Sequence, residues 1–195
     1  MQPAEDNDQA LMLQFQSAGD LAAFEALFTR HKEALFAYLM RLCGRFDVAE
    51  DVSQQAWLKL LDIGRQRAFR PSGVASFRTY LFTLARNHFL DRHVRSHSES
   101  RARPLTDIDE RQLPDPAATD AQELVHKGQT GQILNTAVLD LPLEQREVIA
   151  LWSVGVETQE IANLVGAPRD TVVSRKKYAL AKLRVALLGL GLEEA

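Results

Sequence analysis

Apolar residues recur along this chain at the three- and four-residue spacings of amphipathic helices, in separate blocks. From Leu21 to Cys43 the block is Phe24, Leu27, Phe28, Leu35, Leu39 and Leu42. From Asp47 onward it is Val52, Ala56, Leu60 and Ile63, with Trp57 and Leu61 alongside. From Phe77 to Val94 it is Phe77, Leu81, Leu84, Ala85 and Phe89. No stretch alternates with period two for long enough to predict a strand, so the pattern predicts an all-α fold. It lapses twice. Arg65 to Ser76 is broken by Pro71 and Gly73 and reads as a loop, an unusual one because it sets Phe69 among arginines. Ser96 to Thr119 is polar, charged and interrupted by Pro104, Pro114 and Pro116, the composition of a linker. Helical character returns near Asp120. Pro142 then opens a helix carrying Val148, Ile149, Leu151 and Trp152. The predicted organisation is two small helical domains, 8–95 and 120–190, on a flexible tether, 96–119.

The segment Glu157 to Arg184 is the most specific. It predicts a helix, a tight turn and a second helix with a basic face. Ile161, Ala162 and Val165 form the apolar side of the first helix, and Ala162 is small where the helices cross. Gly166 suits the left-handed conformation that closes a helix. Pro168 stands where the next begins, a place where its missing N–H costs nothing. Val172, Ala179, Leu183 and Leu187 recur as one buried stripe. Arg169, Thr171, Ser174, Arg175, Lys177 and Tyr178 fall away from it. A braced helix offering Arg, Ser, Thr and Lys in its N-terminal half is suited to a major groove. A plain helical hairpin with a solvated basic face is the alternative.

Composition narrows the classes. With 195 residues and 46% apolar content, the chain can bury real cores. Its apolar runs are too short to cross a membrane. The opening MQPAEDNDQ lacks a secretory core, so a cytoplasmic location is expected. Cys43 is the sole cysteine, which rules out an internal disulfide and a cysteine-based zinc site. His93 and His97 have a helical metal-ligand spacing, but no Glu follows His93 and arginines flank the pair, so no metal is expected. There is no phosphate-binding glycine loop, nucleophile elbow or paired-acid constellation, and neither an enzyme nor a cofactor is expected. The net charge of −3 is unevenly spread. Residues 21–95 carry twelve Lys/Arg against seven Asp/Glu, whereas 1–20 carry four acids and no base. Phosphate attraction follows local charge, so DNA binding here is expected to be weak without a partner that adds affinity.

Taken in order, these parts resemble the small extracytoplasmic-function (ECF) sigma subunits of bacterial RNA polymerase, which keep sigma regions two and four joined by a linker. The resemblance runs from about Asp8 to Leu188. GDLAAFEALFTRHKEALFAYLMRLCG (19–44) is similar to the opening of region two, and DVAEDVSQQAWLKLLD (47–62) to its polymerase-binding helix. SFRTYLFTLARNHFLDRHVR (76–95) resembles the promoter-melting helix. LPLEQREVIAL (141–151) with the helix-turn-helix resembles region four. There are departures. Gln55 stands where the family usually has Glu. The recognition helix reads Thr171-Val172-Val173-Ser174-Arg175-Lys176 where a T-V-K-S-R-L pattern is usual, so one basic position is apolar and one apolar position basic.

The resemblance implies roles. Asp51, Gln54, Gln55 and Lys59 share a face that in the family docks on the largest polymerase subunit. Arg70, Arg78, Arg86, Arg92 and Arg95, with His93, offer charge to the displaced strand. Phe69 and Asn87 are expected to border a pocket for one flipped base, the asparagine reading its edge. Phe69 folding back on the core is the alternative, and Tyr80 fits either core or DNA. Arg169, Thr171, Ser174, Arg175, Lys177 and Tyr178 would read the upstream promoter element. The implied partners are core polymerase, promoter DNA and an anti-sigma factor. A free-standing helix-turn-helix regulator with a sensing or dimerising N-terminal domain is the competing class, but such a domain has no reason to carry the arginine-rich loop and A-R-N helix. An adaptor mimicking one sigma domain would not need both DNA surfaces.

Overall fold

The computed structural model describes the backbone of residues 3–70, 76–100 and 134–188, and the side chains of 7–70, 76–92 and 134–188. Every regular element among them is helical: α1 Pro3–Ala18, α2 Leu21–Cys43, α3 Phe46–Arg65, α4 Phe77–Ser100, α5 Leu143–Ser153, α6 Thr158–Val165 and α7 Arg169–Leu188. A short helical stretch at 134–139 precedes α5. The helix expected over 21–43 forms with those bounds. α4 continues through Ser100, past the expected start of the linker at 96, and residues 101–119 of that linker lie outside the described residues.

Local chemistry sets the boundaries. Asp20 starts α2 by accepting hydrogen bonds from the backbone N–H of Ala22, at 2.9 Å, and of Ala23. Gly44 ends it at φ 69°, and a Cβ there would strike the Leu139 side chain. Glycine is therefore needed both for the turn and for the close approach of the second half of the chain. α1 was not foreseen. It lies across α2 and α3 through Met12 and Phe15. Its buried Asp8 accepts from Arg30 and lies 2.7 Å from His31 Nε2.

The two halves pack against one another. α5 lies against α2 and α6 against α4, and one hydrophobic cluster runs from Leu35, Tyr38 and Phe82 to Val148, Leu151 and Ile161. A smaller cluster of Val138, Leu141, Ile149, Ala179 and Leu183 holds α7 on α5.

Candidate functional site

Three surfaces carry the residues singled out by the sequence. The first is the outer face of α3. Ala49, Val52, Ala56 and Leu60 turn inward at helical spacing, leaving Gln54, Gln55 and Lys59 exposed. Asp51 is half-buried at the edge of this face and ion-paired with Arg92 of α4. Sequence reasoning missed Leu58, which stands 48% exposed between the two glutamines and Asp62. Its signal was there: a leucine spaced three and four residues from Gln55 and Gln54, off the buried stripe.

The second surface is α4. Ser76 caps it, its hydroxyl accepting the Thr79 N–H at 3.1 Å. Phe77, Leu81, Phe82, Ala85 and Phe89 are buried. Of the two expectations for Phe69, a base pocket shared with Asn87 or folding back on the core, the structure shows the second. Its ring is 3% exposed and packs edge-on against Tyr80 and Phe77, with centroids 5.4 and 6.3 Å away. Its backbone N–H donates to Gln16 Oε1 of α1 at 2.8 Å. The reason is that a phenylalanine gains about 1.5–3 kcal/mol on burial, and Phe77 and Tyr80 of α4 supply the apolar wall that the loop alone lacks. Tyr80 is half-buried in that contact. Asn87 is exposed two helical turns beyond Tyr80, and Phe69 is not brought to it. Arg70 folds back, donating to the carbonyls of Arg67 and Phe69 at 2.6 and 3.0 Å.

Two further arginines of α4, Arg86 and Arg78, are engaged inside the molecule. Arg86 makes a two-pronged contact with Glu147 of α5, at 2.7 and 3.3 Å. Arg78 donates to the carbonyls of Val154 and Gly155, and its guanidinium lies 5.5 Å from the Phe82 ring centroid. Tyr38 lies beneath this seam; burial, then the Glu147 carboxylate, pushes its hydroxyl far above the ordinary tyrosine range. The side chains of His93, Arg95 and His97 lie outside the described residues.

The third surface is the helix-turn-helix, α6 and α7. Gly166 takes φ 67° at the turn, donating its N–H to Ala162 O. Ile161 and Ala162 are buried as expected, but Leu164 is the third buried residue and Val165 is only half-buried. Val172, Ala179 and Leu183 hold α7, with Leu187 half-buried at its end. Arg169, Ser174, Lys177 and Tyr178 are exposed, and Thr171 and Arg175 half-buried. The basic residue at the normally apolar position is explained: the Lys176 ammonium sits 3.8 Å from the centroid of the Trp152 ring. Among the described residues no group of three or more His, Cys, Asp or Glu is placed to hold a metal, and no helix is long and apolar enough to cross a membrane.

The profile of the Sigma-70 region 2 family matches residues 27–99, which takes in most of α2, all of α3 and nearly all of α4. Over 182 residues the chain is 31% identical to the ECF RNA polymerase sigma factor SigL of Mycobacterium tuberculosis, covering 90% of this chain and 94% of that one. Two solved structures share the fold. CnrH in complex with the cytosolic domain of CnrY superposes with a TM-score of 0.65, at 23% identity, over 94% of this chain and 98% of that one. The sigma factor RpoE of Bartonella quintana, in complex with the anti-sigma factor NepR, gives 0.64 at 24% identity, over 88% and 98%. Three helical surfaces in the order of the sequence motifs, together with this identity across nearly the full length of a sigma factor, place the chain in the family of ECF RNA polymerase sigma factors.

Proposed function

We propose that this chain is the promoter-specificity subunit of a bacterial RNA polymerase, acting in the cytoplasm and without catalytic chemistry of its own. Residues 8–95 and 120–190 are its two working units. The α3 face of Asp51, Gln54, Gln55 and Lys59, with Leu58 at its centre, docks on core polymerase. A small apolar centre in a hydrogen-bonding rim suits a contact that forms and releases each cycle. The α4 residues Arg78, Tyr80, Arg86, Asn87, Arg92 and Arg95 meet the downstream element as it opens. Phe69 and Arg70 set the root of the adjoining loop. Extruding a base costs about a few kcal/mol, within reach of binding contacts, so no nucleotide hydrolysis is required. In α7, Arg169, Thr171, Ser174, Arg175, Lys177 and Tyr178 read the upstream element through the major groove. An anti-sigma factor holds the chain in check.

The observation that carries this reading is the 31% identity with SigL across both units in one chain. Transcription by purified core polymerase on a genomic library, with start sites mapped, tests it. The chain should direct initiation to a set of starts sharing two spaced elements. Starts unchanged from core alone, with no co-elution of chain and core, would leave the free-standing regulator as the better account.

A further inference from the structure

One flank of α7 carries a side chain that folding does not explain. Val173 stands 45% exposed in the second turn of the helix and joins neither hydrophobic cluster. Its neighbour Val172 is fully buried and holds the helix down, so the buried stripe needs no second valine there. On an exposed helical site valine is a poorer choice than alanine or lysine, because its branched β-carbon loses side-chain freedom against the preceding turn. Arg169 and Lys177, both exposed, lie one turn before it and one turn after it on the same flank. Ser174 is exposed beside it. Lys176 is drawn back to α5, its ammonium 3.8 Å from the Trp152 ring centroid, and takes no part in this flank. What remains is an apolar step between two cations, in the half of α7 suited to a major groove.

We propose that Val173 is a specificity-determining residue of this chain, its methyl groups meeting the C5 methyl of one thymine in the upstream promoter element. The proposal rests on reading α7 as the helix that meets that element. Of the four bases only thymine offers an apolar group in the major groove, and an apolar side chain placed there selects it. An exposed apolar residue standing alone is ordinary. Val173 differs in its place, because cations one turn away on either side would draw it against the duplex. Contacts from those cations to phosphates carry no sequence information, so the methyl contact adds a selection that they lack. Valine also suits the task physically. In a helix it keeps essentially one side-chain rotamer, so little freedom remains to be lost when it meets a base.

The test uses holoenzyme, the full chain with core polymerase, on duplex fragments bearing an upstream element taken from its mapped starts. Replacing one thymine at a time by deoxyuridine removes the C5 methyl and nothing else. At one position wild type should lose about fourfold in affinity, the worth of one buried methyl-sized group. Val173→Ala should bind the unmodified fragment more weakly than wild type and be indifferent to deoxyuridine at that position, the non-additivity of a direct contact. Val173→Lys should be indifferent too, but its affinity should fall more steeply with salt, by roughly one released counterion. Val173 is exposed, so both variants should melt close to wild type. A deoxyuridine penalty of equal size in wild type and Val173→Ala, no penalty at any position, or an upstream element without a recurring thymine would overturn the proposal. Failure of the proposed function looks different: the holoenzyme would direct no starts of its own, and this inference would fall with it.

Discussion

α4 and α7 both carry arginines expected at DNA, yet the fold treats them oppositely. On α7, Arg169, Ser174, Lys177 and Tyr178 face solvent, and the helix is held from behind by Val172, Ala179 and Leu183. On α4, Arg78, Arg86 and Arg92 all have intramolecular partners, two of them with the other half of the chain. A double-stranded element can be met by a preformed helix. Under the proposed function, α4 meets an opened strand only after its arginines leave these partners.

The contrast can be broken most forcefully at the root of α4. Phe69→Ala removes a ring that is 3% exposed, and large-to-small changes of this kind cost about 3–5 kcal/mol. Chemical denaturation should show that loss. A change near zero would mean that the ring is not a packing anchor, and would restore the open base pocket. Arg86→Ala comes next. It leaves the Glu147 carboxylate, 4% exposed, without its guanidinium, a situation that costs up to about 3–5 kcal/mol when nothing relaxes. Either the melting transition falls or the halves separate, and scattering tells which. A variant equal to wild type in both would show that the pair does not hold the seam.

Arg175→Ala probes the open helix. It should weaken upstream recognition by about 1–3 kcal/mol while leaving transcription from a pre-melted template unchanged. Equal loss on both templates would put Arg175 on the wrong surface. The smallest effect on stability belongs to α3. Gln54→Ala, at an exposed site, should shift stability by no more than about 0.5 kcal/mol yet reduce co-elution with core polymerase. Normal assembly with a destabilised chain would reverse that assignment.

These contrasts were only partly legible beforehand. Periodicity predicted α2, α3, α5 and the helix-turn-helix well, because each buries a stripe that local spacing reveals. α1 was overlooked because Asp8 looked like one more solvated acid in an acidic opening; its partners Arg30 and His31 lie 22 and 23 residues away. The burial of Phe69, kept only as the alternative, was obscured for the same reason: the loop around it is polar, and the rings it packs on, Phe77 and Tyr80, belong to α4. The engagement of Arg86 by Glu147 and of Thr79 by Glu160 spans 61 and 81 residues. No local pattern encodes a contact at that range. On α7, Arg169, Ser174, Lys177 and Tyr178 are exposed while Thr171 and Arg175 are half-buried, since the helix's own stripe decides most of which face is free.

Footprinting both promoter elements in one reaction tests the account most directly. Core polymerase with wild-type chain on a duplex promoter should protect the upstream element from nuclease and leave permanganate-reactive thymines in the downstream one. With Arg86→Ala the upstream protection should persist and the downstream reactivity should fall. Loss of both signals together, or of neither, would contradict the assignment of α7 to the closed duplex and α4 to the opened strand.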